Sequence, residues 1–199
     1  MRAAVRKDIK DLILDATDKL LSERGFQGMT MSTLADEVGI GKGTLYLHFP
    51  SKQELVLSHI DRIIFRLLVK LQTINSGKLS PDEKIVEMLI VRVLFRFDSV
   101  QHYRESLFEL LRDIRPALIE RHRQHFRQEA RYFVDVIKEG RGKELFHIKN
   151  AEEVAESFIT ATNSLLPYNL DAAVISDRTR LAKRIALIAN LLVNGIKKS

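Results

Sequence analysis

Residues Gly39–Val56 read GIGKGTLYLHFPSKQELV: three glycines in five positions, then an aromatic, apolar and basic mixture interrupted by a proline. Gly39 stands where the short apolar pattern of Leu34, Ala35 and Val38 runs out, the place at which a left-handed helix cap takes glycine. From Lys42 to Phe49 the residues suit a second short helix, and Pro50 stops it because the residue before a proline is pushed out of the helical region. Leu45 and Phe49, four apart, share its buried face, while Ala35 is the small side chain at which two short helices can cross closely. The spacing predicts a helix-turn-helix. Thr44, Leu47 and His48 then point outward with Gly43 and Tyr46 along the flank, a face that can meet a major groove. Gly41 and Gly43 clear side-chain bulk from the helix N-terminus, where free amides can approach a phosphate, and Lys42 and Lys52 bracket the element with positive charge.

Working outward, Ile9, Leu12, Ile13, Ala16 and Leu20 recur at helical spacing, so residues 7–24 form an amphipathic helix closed by Gly25. Thr30 precedes the second helix as its cap. Ser51 with Glu54 makes a capping box for a long fourth helix that turns Leu55, Ile60, Ile64, Leu67, Leu68 and Leu71 toward an interior. INSGKLSP is the clearest linker, and Pro81 opens the next helix. Pro116 divides a helix ending near Arg115 from one reaching Lys138, EGRGK at 139–143 is a turn, and helices near 151–166 and 178–196 follow. No alternating strand pattern of useful length occurs. The expected fold is all-α, about nine helices, with a helix-turn-helix head at 1–52 on a larger helical body at 53–199.

Composition narrows the function classes. The formal net charge is +6, but residues 1–52 carry eight Lys/Arg against seven Asp/Glu, residues 53–142 sixteen against thirteen, and the remainder eight against six. So even a spread says little about a nucleic-acid partner. There is no cysteine, which removes disulfide frameworks, thiolate metal sites and cysteine nucleophiles and fits a reducing cytoplasm. The N-terminal residues are charged every few positions and make no secretory signal. The most apolar stretches, MLIVRVLF at 88–95 and IALIANLLV at 185–193, are too short to span a membrane.

The stretch GFQGMTMSTLADEVGIGKGTLYLHFPSKQELV resembles the N-terminal DNA-binding signature of TetR-type (TetR/AcrR) transcriptional repressors, and covers about the first quarter of the chain. Carried over position by position, the resemblance implies that Thr30 and Ser32 at the second helix, and Lys42, Gly43, Thr44, Tyr46, His48 and Lys52 around the third, face DNA. Two positions depart from the family's habit. Gly41 stands where serine is common, which leaves backbone amides to meet a phosphate. Leu47 stands where an aromatic is common and offers apolar contact such as a thymine methyl.

The resemblance also implies a ligand-binding and dimerising body. Arg92, Phe95, Tyr103, Phe108, His125, Tyr132 and Phe133 combine apolar surface with a few polar tips, a composition that suits an effector pocket and equally an ordinary core. ALIANLLV at 186–193 is apolar on nearly every side, which suggests burial against another chain; the family's dimer implies an interface made by the last two helices of each subunit. His122 and His125, three apart, have metal-compatible spacing without an identified partner, so a solvated basic face is the simpler account and no metal or cofactor is expected. Arg2, Arg6 and Lys7 suit either a minor-groove arm or a frayed terminus. No group of residues has catalytic character. The expected protein is a cytoplasmic, homodimeric repressor of a near-palindromic double-stranded DNA operator, released by a small-molecule effector. The rival is a helical module that uses the head to bind a protein partner, and a helical enzyme is the more distant third.

Overall fold

The computed structural model describes residues 8–169 and 177–198; the side chains of 104–108, 113, 115 and 168 fall outside the described set, as do the arm residues Arg2, Arg6 and Lys7. Among the described residues the fold is all-α: α1 Ile9–Gly28, α2 Met31–Val38, α3 Lys42–His48, α4 Lys52–Asn75, α5 Pro81–Val100, α6 Arg104–Gly142, α7 Ala151–Asn163 and α8 Arg178–Asn194, with short 3-10 turns at Gln101–Tyr103 and Pro167–Asn169. The chain forms two compact units. One comprises residues up to Arg62 together with His102–Leu118, the other Ile63–Gln101 together with Ile119 onward.

In the first unit, the sequence punctuation acts where expected. Gly25 takes φ 65° and ψ 179°, which interrupts the helical course of α1 and sends Phe26 and Met29 into the core. Thr30 caps α2 through its hydroxyl, which accepts the Thr33 amide at 3.1 Å, while the Thr33 hydroxyl accepts the Thr30 amide at 3.0 Å. Gly39, at φ 74°, ends α2, and its amide and that of Ile40 return to the Asp36 and Ala35 carbonyls at 3.2 and 3.0 Å. The Ser51 hydroxyl accepts the Glu54 amide at 3.0 Å and starts α4. Leu34, Ala35, Leu45 and Phe49 are buried together with Ile13, Leu20 and Leu21 of α1, so two short helices are held by a third.

Asp18 of α1 joins this unit electrostatically. Its Oδ1 lies 3.2 Å from Nε2 of buried His59 on α4 and 2.9 Å from Nε2 of His102, and the Ser22 hydroxyl donates to the His102 carbonyl at 3.1 Å. Burial by itself would raise the Asp18 carboxyl; the hydrogen bonds and charges of His59 and His102 outweigh it and hold it at about 2, below the ordinary 3.8. A carboxylate depressed in this way stabilises the fold above its ordinary value and loses that contribution as the pH falls through about 2. Asp18→Asn is therefore expected to lower the thermal midpoint at neutral pH by a few degrees, a difference that shrinks as the pH drops from about 4 to below 2. A shift of equal size at both ends of that range would assign the effect to packing.

In the second unit, α5 packs against α8 and α7, and α7 against α8. Leu67, Leu71, Ile85, Met88, Leu89, Phe133, Val136, Ile137, Phe158, Ile159, Ala189 and Val193 form its apolar core. Pro81 opens α5, and the Ser80 and Glu83 side chains complete a reciprocal capping box.

Two expectations are corrected here. Pro116 does not divide two helices: α6 runs through it. Proline's fixed φ is helical and its cost is one lost hydrogen bond and a clash at Arg112, which a long helix packed elsewhere along its length absorbs. Nor is 139–143 a turn, since α6 continues to Gly142 and the reversal comes at Lys143 and Glu144, the latter at φ 59°. Gly140 is glycine for a different reason than turning. A Cβ built there would lie 2.1 Å from the ring of Phe146, so the absent side chain is what lets that ring seat against the helix. Phe146 itself makes an isolated antiparallel bridge with Lys197, flanked by hydrogen bonds from His147 to Ile196 and from Lys198 to Leu145.

Candidate nucleic-acid interface

The α3 helix presents its candidate residues on one side because its other side is anchored. Leu45 is fully buried and Phe49 nearly so, and 3.6 residues per turn then places Leu47 and Gly43 opposite them. Leu47 is 86% exposed and Tyr46 49%, with Lys42 and Gly43 also exposed. Thr44 and His48 are half-buried. The outermost ridge therefore runs Gly43–Tyr46–Leu47, with Thr44 and His48 beside it, whereas the sequence pattern had put Thr44, Leu47 and His48 outermost. The reason is angular: His48 lies only about 60° around the axis from Leu45. Thr30 is exposed with its hydroxyl in the α2 cap, and Ser32 is half-buried in the first turn of the same helix.

The glycines of this element divide by cause. Gly39 needs its positive φ. Gly41 and Gly43 do not, and a Cβ at either would meet nothing within 4 Å. Glycine inside a helix costs about 1 kcal/mol against alanine, so at Gly43 stability is given up without any internal contact to explain it. Gly41 is the N-cap of α3 and makes no side-chain capping bond, so the first amides of α3 receive no cap from it.

Lys52 is half-buried at the first position of α4, and its Nζ lies 4.0 Å above the centroid of the Phe26 ring. Phe26 was not singled out from sequence. The signal was available, an aromatic directly after the helix-closing Gly25, but only the fold brings positions 26 and 52 together.

The candidate effector residues fall into several environments. Arg92 is fully buried, donating from Nε to Glu129 at 2.6 Å, from Nη1 to the Thr162 hydroxyl at 2.9 Å and from Nη2 to Asn163 at 2.5 Å. Arg96 pairs with both oxygens of the same Glu129. Burial alone would raise the Glu129 carboxyl, and the charges and hydrogen bonds of the two arginines hold it below its ordinary value. Phe133 is fully buried in the apolar core, Phe95 and Tyr132 pack partly buried against that core, and His125 is buried. Tyr103 belongs to the other unit, where its ring meets those of His59 and His102; burial and the Asp18 charge raise its phenol. The Phe108 side chain lies outside the described residues. His122 stacks on Phe126 at 5.6 Å, and burial followed by the charges of Arg96, His125 and Arg92 lowers it to about 4, so it is neutral at physiological pH. Among the described residues no three His, Asp or Glu side chains form a group that could hold a metal ion, and no helix is long and apolar enough to cross a membrane.

Comparison with known proteins places this geometry. The family model described as bacterial regulatory proteins, tetR family, matches residues 13–58, which spans α1 to the start of α4. The chain is 29% identical over 102 residues to the HTH-type transcriptional regulator YerO of Bacillus subtilis, covering 51% of this chain and 35% of that protein. It is 25% identical over 136 residues to the HTH-type transcriptional repressor KstR2 of Mycolicibacterium smegmatis, covering 66% and 64%. The chain thus spans from about a third to just under two thirds of the length of these curated relatives. A crystal structure of a transcriptional regulator from Cytophaga hutchinsonii superposes with a TM-score of 0.76 at 20% identity, covering 94% of this chain and 98% of that one, which shows the same fold. These relatives are named as transcriptional regulators, and the stretch that matches the tetR-family model, residues 13–58, carries the helix-turn-helix just described.

Proposed function

We propose that the protein is a DNA-binding repressor in which residues 1–52 form the DNA-reading head and 53–199 the effector-binding and dimerising body. The observation that carries the DNA reading is the α3 surface: an exposed Gly43–Tyr46–Leu47 ridge, beside two glycines that no contact within the chain requires. Such a surface suits close approach of a phosphate backbone and base edges. The full contact set proposed is Thr30, Ser32, Lys42, Gly43, Thr44, Tyr46, Leu47, His48 and Lys52. Similarity to the repressor KstR2 favours repression over activation.

Dimerisation is supported by α8. Leu181, Ile185, Ala189 and Val193 are buried on one side, while Leu187 and Leu191, four apart on the other, are 62% and 64% exposed. A two-fold pairing through α7 and α8 would cover them and present two α3 helices to a near-palindromic operator. For the effector we propose the second unit around Phe95, His125 and Tyr132, because the donors of Arg92 are engaged by its neighbours and Phe133 is packed in the core. Effector binding would favour a separation of the heads that no longer fits successive major grooves, with α4 as the connection. A cytoplasmic setting follows from that role.

Selection of bound duplexes from random DNA, then titration of the winner at two salt concentrations, tests this. A near-palindromic site whose affinity falls steeply with salt supports the dimeric repressor. No enriched sequence from folded dimer, with salt-insensitive capture of a protein partner, would favour the interaction module. Tyr46→Ala is expected to weaken the selected duplex by on the order of tenfold, about 1.4 kcal/mol, without moving the thermal midpoint. Unchanged affinity would remove Tyr46 from the contact set.

A further inference from the structure

We infer that the effector carries a carboxylate, and that Arg96 takes it through the edge of its guanidinium that the protein leaves open. The inference rests on the effector reading above and gives that ligand a charge. Arg92, Arg96 and Glu129 are all buried in the second unit. Both arginines turn to the one carboxylate, so the three residues together hold one positive charge in excess. Burying a charge beyond what its partner neutralises is costly, and an apolar residue in place of Arg96 would spare the fold that cost.

Donor geometry shows where the excess charge can act. Arg96 gives its Nη1/Nη2 edge to Glu129, Nη1 to Oε2 at 3.3 Å and Nη2 to Oε1, and Nη1 also donates to the Arg92 carbonyl at 3.0 Å. The N–H of Nε and the second N–H of Nη2 lie side by side along the other edge of the plane, and neither has an acceptor among the described residues. Parallel donors of this kind form the fork that a carboxylate meets with both oxygens. The Arg96 side chain is only 5% exposed, so an anion would meet it largely out of water, where such a pair is stronger. Beside the arginines stand Phe126, its ring 5.2 Å from the Arg92 guanidinium, and His122 stacked on that ring. His122 adds no second cation, since burial first and the Arg96 charge next hold it at about 4. One excess charge among aromatic rings suits a monocarboxylate with an alkyl or aryl body.

Octanoate, dodecanoate and phenylacetate, each beside its uncharged amide and the matching amine, are titrated into the full-length protein by calorimetry. At least one carboxylate should bind about tenfold or more tightly than its amide and amine, and at saturation raise the thermal midpoint by a few degrees. Arg96→Met leaves Arg92 and Glu129 matched one to one, so its ligand-free midpoint should hold or rise while carboxylate affinity falls about tenfold or more. Should Arg96→Met not fold, Arg96→Lys, which keeps the charge and loses the fork, reads the same loss. Carboxylates that bind no better than their amides, or that bind either variant as tightly as the parent, would overturn the inference. An amide or amine that releases the selected duplex while no carboxylate binds would overturn it and leave the effector reading standing. A carboxylate held through Arg96 that leaves duplex affinity unchanged would instead overturn the effector reading and keep the site.

Discussion

Glu129→Ala is expected to destabilise the second unit by about 3–5 kcal/mol, enough to unfold a protein of ordinary stability at modest temperature. Glu129 is fully buried and is the carboxylate shared by Arg92 and Arg96, themselves buried. Removing it leaves two guanidiniums facing each other across a cavity, with the Arg92 contacts to Thr162 and Asn163 unable to supply charge. The pair is not in itself a large source of stability, since desolvation offsets most of the Coulomb gain. What costs so much is breaking it from one side. Replacing all three charged residues by apolar ones of similar volume, as in R92M/R96L/E129L, is accordingly expected to restore most of the loss. Urea unfolding followed by far-ultraviolet circular dichroism reads both. A Glu129→Ala protein within 1 kcal/mol of the parent would mean that water reaches the arginines when the carboxylate leaves.

Gly43→Glu should have the opposite signature. A side chain at position 43 meets nothing in the protein, and glutamate is a better helix former than glycine, so the thermal midpoint should hold or rise slightly. In the proposed complex the same side chain sets an acidic group against a phosphate backbone, where like charges cost several kcal/mol. Affinity for the selected duplex is expected to fall on the order of 100-fold or more, about 2.7 kcal/mol. Gly43→Ala, which adds bulk without charge, should lose less. If Gly43→Glu binds as tightly as the parent, the Gly43–Tyr46–Leu47 ridge does not face DNA.

Much of the head was legible because its signals are local. Gly25, Gly39, Pro50 and the Ser51/Glu54 pair each act within a turn of their own position, and the structure has them ending, capping or starting helices. Pro116 and Gly140 were misjudged because their roles depend on distant partners. A proline reads as a boundary until the packing along the rest of its helix is known, and a glycine reads as a turn until Phe146 is seen against it. The buried charges were invisible for a similar reason. Nothing in the spacing of Arg92, Arg96 and Glu129 announces that one carboxylate serves two arginines, and Phe26 and Lys52 meet only because α1 and α4 do.

The order of the helices along the chain bears on how the protein is made. α1, α2 and α3 pack against sequence neighbours and can assemble soon after they are synthesised. α5 instead packs chiefly against α8, whose first residue comes some 80 positions after the end of α5. During synthesis the side of α5 that α8 covers waits for that partner, and chains released early, lacking α8, would carry it uncovered. Chaperone demand and aggregation in the cell should then follow the fate of this one delayed pairing more closely than that of the DNA-reading helices.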